Sequence, residues 1–271
     1  MPKSLATWFT PSLQTISRSA GRSAVAAAAY RACVKLIDQT TGLIHDYTRK
    51  RGHVETLLVG ADDISELWNK AEAAETRKNS TVARELMLPL PDQWTDNERR
   101  ACVLDIAQHL RDTYGVAAAG SIHAANRHDR NGHCHLMFTT RVVDDDGNFG
   151  KKTRILDDMK TGEVKRLREA ICKIINDHAE KLGSDFYVYA GKFSDIDKNH
   201  IPTKHIPINA GKEYRAAITA QNTQVKIHLA NVATHKEKEK QLEAELLKAE
   251  LSNALNLETP ESTPASDAPK R

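Results

Sequence analysis

HAANRHDRNGHCH, residues 123–135, runs directly into LMFTTRVV, residues 136–143, and the reading of the fold turns on this stretch. Successive side chains of a strand point to opposite faces. A strand beginning at residue 133 therefore sends His133 and His135 to one face and Cys134 to the other. VAAAGSIHAA, just before, reads as a second strand ending near His123. The polar segment NRHDRNG between them, with Asn131 and Gly132 at its end, reads as the connection of two adjacent strands. His123 then faces the same side as the pair. Two readings stand on spacing alone: a polar loop rich in His, or three neutral imidazoles holding a divalent ion, which imidazole suits. His128, in the connection, is a further candidate ligand.

The segments on either side alternate between helical and extended patterns. ATWFTPSLQTI is an expected opening strand, and GRSAVAAAAYRACVKLI an Ala-rich helix. TGLIHDYTRKRGHVETLLV is expected as extended segments around a turn at Arg51 and Gly52. DDISELWNKAEAAETRK has the acidic first turn and basic last turn that a helix favours. TVARELMLPLP reads as a strand ending at its prolines. TDNERRACVLDIAQHLRDTYG reads as a helix with capping-box spacing between Thr95 and Glu98. TGEVKRLREAICKIINDHAEKLG is a further amphipathic helix, stopped by Gly183. Strand pairs interspersed with helices predict an α+β fold with helices against one face of an antiparallel sheet. From His235 onward a charged helix is expected, its leucines at 242, 246, 247, 251 and 255 forming one apolar stripe. The domain organisation read from these patterns is 1–210 as the principal domain, 211–258 as a helical extension, and 259–271, rich in Pro, Ser and Thr, as a disordered tail.

With 271 residues, 40% of them apolar, the chain is long enough to bury a sizeable core. The mean hydropathy is −0.54, and no apolar run approaches the roughly 20 residues of a membrane span, so no membrane insertion is expected. MPKSLATWFTPSL has one Lys and no continuous apolar segment, so no secretory signal is expected and the location implied is cytoplasmic. The cysteines Cys33, Cys102, Cys134 and Cys172 form no CxxC pair, which argues against a zinc ribbon and a dithiol redox motif. A net charge of +3 permits a nucleic-acid partner without demanding one. Cations cluster in loops, at Arg49, Lys50 and Arg51 and at Lys151, Lys152 and Arg154, where they are either solvated or available to a phosphate backbone.

SRSAGRSAVAAAAYRA, residues 17–32, places Tyr30 on a helix whose start is rich in Ser, Gly and Arg. Here the chain resembles the MobA/MobL relaxases, the single-tyrosine branch of the DNA strand-transferases with a His-hydrophobic-His signature. The pieces that carry the resemblance are GRSAVAAAAYR (21–31), HDYTRKRGHV (45–54), ARELMLPLP (83–91) and IHAANRHDRNGHCHLMFTTR (122–141), with Asn131 two residues before the first His of the pair. The likeness extends over residues 1 to about 210. PTKHIP, residues 202–207, departs from the family's usual Pro-Thr-x-His-Leu-Gly. The chain also shows no long helicase or primase extension of the kind some relatives have.

The resemblance implies a ferredoxin-like palm, a divalent metal (Mg²⁺ or Mn²⁺) on His123, His133 and His135, Tyr30 as nucleophile, and Glu85 as a nearby catalytic carboxylate. It also implies single-stranded DNA at a plasmid transfer origin as substrate. The basic loops, and Arg18, Arg22 and Ser23 at the helix start, whose free amides favour an anion, are read from their residue types as a cradle for its phosphates. Accessory mobilisation proteins and a secretion coupling protein are the implied partners. A tyrosine hydroxyl that attacks a backbone phosphate leaves a 5'-phosphotyrosyl link and a free 3'-hydroxyl, keeping the bond energy for later rejoining. Phenol, with an ordinary pKa of about 10, attacks poorly without help from a neighbouring base or positive charge. Other readings remain. A rolling-circle initiator or transposase shares the chemistry, and a metal-dependent hydrolase using activated water would make Tyr30 dispensable. Tyr47 rivals Tyr30 as nucleophile, and Glu85 has a purely structural alternative, an ion pair with Arg84 or Arg22.

Overall fold

The computed structural model describes residues 11–124, 132–191, 201–204, 206–207 and 209–257. The opening residues before Pro11, the connection carrying His128, His205 of PTKHIP and the tail from residue 258 lie outside this set. The chain divides into two compact units, Met1–Lys192 and Phe193–Arg271.

The first unit is built on one antiparallel sheet. Its strands are β1 (Ser12–Ser17), β4 (His53–Val59), β5 (Thr81–Pro89), β6 (Val116–His123) and β7 (His133–Val143), in the order β1-β5-β7-β6-β4. β8 (Phe149–Lys152) pairs with β7 beside this path, and β2 (Lys35–Ile37) and β3 (Ile44–Asp46) form a separate ribbon. The pairing expected around the histidines is present: His123 stands opposite His133, and Ser121 opposite His135.

Helices cover both faces of this sheet, where one covered face was expected. Alternation along the strands explains the difference. Leu86, Leu88, Ala118, Ile122, Cys134, Leu136 and Phe138 point to a core shared with α3 (Asp96–Tyr114) and α4 (Glu163–Lys181). Ala83, Ala117, Ala119 and Met137 point the other way, to a core shared with α1 (Ala24–Ala32) and α2 (Ile64–Ala73). Every residue of β6 is consequently buried. Its small side chains let helices approach closely: a methyl group added at Gly120 would meet Cγ1 of Val103 on α3 at 2.7 Å.

Local signals place the helix ends. Thr95 and Glu98 form the expected capping box at the start of α3, and Gly115 ends it in the left-handed region at φ 67°. The segment 21–37, expected as one helix, breaks at Cys33, the one non-Gly residue with positive φ among those described (55°). VKLI beyond it turns into β2, whose apolar residue Leu36 enters the core beneath α1.

The second unit contains α5 (Lys212–Leu257), a single helix that begins well before the residue 235 expected from the charge pattern. Its leucines do not make one stripe. At about 100° per residue, Leu242 and Leu251 lie half a turn out of phase, and both are exposed. Asn222 on this helix holds the backbone of Lys204, with bonds to its N–H and C=O at 2.7 and 2.8 Å. No helix among the described residues is long and apolar enough to cross a membrane.

Candidate active site

The sheet face that packs on α1 and α2 turns polar at one end, where His53, His123 and His133 sit side by side on β4, β6 and β7 in consecutive register. His135 follows His133 by two residues and so shares its face. The rings converge: centroids are 5.3 Å apart for His123 and His133, 5.4 Å for His123 and His135, and 5.0 Å for His133 and His135. His53 touches the edge of His123 at 5.7 Å. It is a fourth imidazole at the site, and its signal in the sequence is the start of an extended segment at His53. Its Nε2 bonds Thr56 Oγ1 at 2.8 Å.

Hydrogen-bond partners fix which ring nitrogens carry protons. His123 Nε2 lies 2.8 Å from the carbonyl oxygen of Arg31, and a carbonyl only accepts, so Nε2 donates and Nδ1 bears the lone pair. His135 Nδ1 lies 2.7 Å from Glu85 Oε1; the ionised carboxylate accepts, so Nδ1 donates, and in a neutral ring the lone pair is on Nε2. Burial pushes the His123 imidazole down to about 4, against the weaker upward pull of the Arg31 carbonyl, so the ring is neutral at pH 7. The donor chemistry is that of metal-ligating histidines, each oriented by a carbonyl or carboxylate on its far nitrogen. Among the described residues no group of three or more His, Cys, Asp or Glu closes to metal-holding geometry as it stands. With the His123 and His133 rings stacked at 6°, coordination by all three requires side-chain rotation.

Glu85 is the hub. It is 3% exposed on β5 and has as partners both His135 and the guanidinium of Arg31, which binds its two oxygens through Nε and Nη2. Burial alone would raise its carboxyl, but the hydrogen bonds from His135 and Arg31 outweigh it and hold Glu85 at about 2. Neither Arg84 nor Arg22 is the partner. Arg84 points to the opposite face, where it pairs with Asp157, and Arg22 donates to the carbonyl of Thr15 at 3.2 Å. Arg31 was the cation to look for, since it follows Tyr30 on the helix that covers this face.

Tyr30 occupies the last turn of α1 and is 46% exposed. Through Arg31 its backbone is tied to His123, and through the Arg31 guanidinium to Glu85 and His135. Tyr47 is partly buried against the α1 and α2 core and meets the Tyr30 ring edge-on at 5.2 Å.

The opposite end of α1, read from its Ser, Gly and Arg content as a phosphate cradle, is filled by the protein's own carboxylates. Ala24 donates its N–H to Glu72 Oε1 at 2.7 Å, and Ser23 donates to Asp38 at 2.8 Å. Arg18 grips the Glu72 carboxylate through Nε and Nη2, and donates from Nη2 to the Glu72 carbonyl and from Nη1 to the Glu75 carbonyl. Lys152 is held by Glu75 and the carbonyl of Thr81. Arg49, Arg51 and Arg154 are exposed loop cations as expected, whereas Lys151 and Lys152, also expected in a loop, lie on strand β8, with Lys151 exposed.

A family model described as the MobA/MobL family matches residues 22–215. The chain is 34% identical over 242 residues to the mobilization protein MobL of Acidithiobacillus ferridurans, a match covering 75% of this chain and 63% of that protein. It is 28% identical over 236 residues to the conjugal transfer protein TraA of Rhizobium radiobacter, covering 73% of this chain and 21% of the other. A solved structure described as "Molecular Basis of Vancomycin Resistance Transfer in Staphylococcus aureus" superposes with a TM-score of 0.59 at 26% identity, covering 68% of this chain and 98% of that one.

Proposed function

The chain belongs to the MobA/MobL family, and on that premise we propose that it is a relaxase, which nicks one strand at a plasmid transfer origin and later rejoins it. In the forward step the Tyr30 hydroxyl oxygen bonds the backbone phosphorus, the bond from phosphorus to the 3'-oxygen breaks, the phenol proton leaves to solvent, and the departing 3'-oxygen takes up a proton from solvent. The products are a 5'-phosphotyrosyl link and a 3'-hydroxyl, and attack by that hydroxyl reverses the step. One observation carries the reading: an exposed tyrosine adjoins, through the very next residue, a cluster of imidazoles and a buried carboxylate.

His123, His133 and His135 are the residues that would hold a divalent ion, with His123 presenting Nδ1 and His135 presenting Nε2. Such an ion supplies positive charge to polarise the scissile phosphate. An all-imidazole set suits Mn²⁺ better than Mg²⁺, which prefers oxygen ligands. Glu85 acts on this site as a positioning residue. A carboxylate held at about 2, with both oxygens engaged by Arg31, is a poor proton acceptor at pH 7, but it orients His135 and neutralises Arg31. The exposed cations Arg49 and Arg51 before β4, Lys151 on β8 and Arg154 just after it are the groups that would contact the DNA backbone. Accessory mobilisation proteins and a secretion coupling protein are the partners this role calls for, and the bacterial cytoplasm its location.

The test uses single-stranded oligonucleotides tiled across the DNA flanking the gene, incubated with the full chain and Mn²⁺. Wild type is expected to form an SDS-resistant adduct with one of them. Tyr30→Phe is expected to lose it and Tyr47→Phe to keep it. An adduct mapped to Tyr47, or cleavage by Tyr30→Phe that releases both ends free, overturns the proposal in favour of a different nucleophile or of activated water.

A further inference from the structure

Lys50 belongs to a loop expected to grip DNA, yet its ammonium is turned inward. Nζ lies 3.7 Å from the centroid of the Tyr30 ring and donates to the Tyr30 carbonyl at 3.1 Å. Tyr47 bounds the same ring edge-on, with an interplanar angle of 88°. The Lys50 N–H bonds the Tyr47 carbonyl at 2.9 Å, so both contacts come from one turn. That turn is fastened by the Tyr47 N–H to the Val34 carbonyl at 3.2 Å. A tyrosine 46% exposed at a helix end would otherwise have several rotamers open to it. Here one face of the ring is covered by a cation and one flank by an aromatic edge.

We propose that Lys50 is a positioning residue of the strand-transfer reaction: with Tyr47 it fixes the Tyr30 ring, and its ammonium stabilises the negative charge the phenol gathers as it attacks phosphate. The inference rests on Tyr30 being the nucleophile. As the phenol proton departs, charge spreads from the oxygen into the ring, and a cation over the ring face attracts the charged ring more strongly than the neutral one. An interaction that strengthens toward the transition state raises the rate of the chemical step and leaves substrate affinity alone. A lysine that instead contacted backbone phosphate would contribute uniformly to affinity and to its salt dependence. Burial holds Lys50 below the ordinary lysine value, with the nearby Arg31 cation pulling in the same direction and Cys33 opposing it; the ammonium is drawn in from water.

The experiment measures adduct formation and oligonucleotide affinity in the full chain, using whichever tiled oligonucleotide the wild type links. Lys50→Gln keeps a donor for the Tyr30 carbonyl and removes only the charge, and Lys50→Met removes both. Each is expected to lower the single-turnover rate at saturating DNA on the order of tenfold, the size of a partly buried cation–π contact, with affinity and salt slope unchanged. Lys50→Arg, whose guanidinium also stacks on aromatic rings, is expected to recover part of the rate. If Lys50→Met fails to fold, the Gln variant carries the test. A wild-type rate in Lys50→Gln overturns the inference. So does a salt slope reduced by about 0.7 with an unchanged rate at saturation, which marks a phosphate contact. Loss of the adduct in Tyr30→Phe together with wild-type rates in the Lys50 variants removes this inference alone, whereas an adduct that persists in Tyr30→Phe removes the nucleophile assignment and this inference with it.

Discussion

Replacing Glu85 by Gln separates its positioning role from a proton-accepting one. The carboxylate is buried, bound by Arg31 through two nitrogens and by His135 through one. Its carboxyl is held at about 2 against an ordinary 4.5, and a gap of that width corresponds to about 3 kcal/mol of folding stability. Removing one partner of a buried ion pair costs about 3–5 kcal/mol by an independent route, which agrees near its lower end. Because the folded-state value is depressed, this stability is fully present above about pH 4.5 and is lost as the pH falls toward about 2. Urea unfolding followed by the fluorescence of buried Trp68 and Trp94, with chelator present, reads the effect. With a urea slope of about 2 kcal/mol/M, the midpoint of Glu85→Gln is expected to fall by about 1.5 M at pH 7, and the difference from wild type to narrow below about pH 4. A cycle with Arg31→Met adds a second check, since residues joined in one ion pair couple strongly and the double variant should cost less than the two single variants together. A Gln variant as stable as wild type, with its nicking rate reduced by about 10² to 10⁴, would refute this reasoning and restore Glu85 as a general base.

His133→Ala is expected to weaken Mn²⁺ binding by more than about tenfold in a spectroscopic titration while circular dichroism stays native; equal occupancy in the variant removes His133 from the ligand set. Gly120→Ala is expected to destabilise by about 1–3 kcal/mol, because the added methyl meets Val103 at 2.7 Å, and an unchanged unfolding midpoint would mean that α3 yields freely. Replacing Arg49 and Arg51 together by Ala is expected to flatten the dependence of log affinity on log salt by roughly 0.7 per lost phosphate contact. Arg18→Ala, which breaks the grip on Glu72, is expected instead to lower the urea midpoint and leave that slope unchanged; the reverse pattern would mean that Arg18 leaves Glu72 to bind DNA.

The strands around HxH were legible because two physical rules act there without competition. Period-two alternation assigns His133 and His135 to one face, and a Gly-containing polar connection brings His123 opposite. The capping box at Thr95 was legible for the same reason, being local. What escaped the sequence was any assignment that depends on how a helix lies over the sheet. Glu85 visibly needed a partner, yet Arg31 stands 54 positions away, and adjacency along the chain suggested Arg84, which a strand necessarily sends to the other face. Charge alone also failed to distinguish Arg18 and Lys152, neutralised by Glu72 and Glu75, from the exposed Arg49 and Arg51. Basic loops identify where cations are, and only their partners reveal which are available.

The alanines of α1 tie these observations together. Composition reads AVAAAAYRA as strong helix propensity and nothing more. In the fold Ala24, Ala27, Ala28 and Ala29 belong to the same buried cluster as Ala83, Ala117 and Ala119 of the sheet, small side chains that favour a close approach of the helix. Close approach is what allows the Arg31 carbonyl to reach His123 at 2.8 Å and the Arg31 guanidinium to reach Glu85. A larger residue at these buried positions is expected to push the helix off the sheet and lengthen both bonds. The same displacement would carry Tyr30 away from the histidines. The alanine run therefore sets the height of the proposed nucleophile over the imidazole cluster, and the rigidity of a buried helix holds it there more firmly than a loop would.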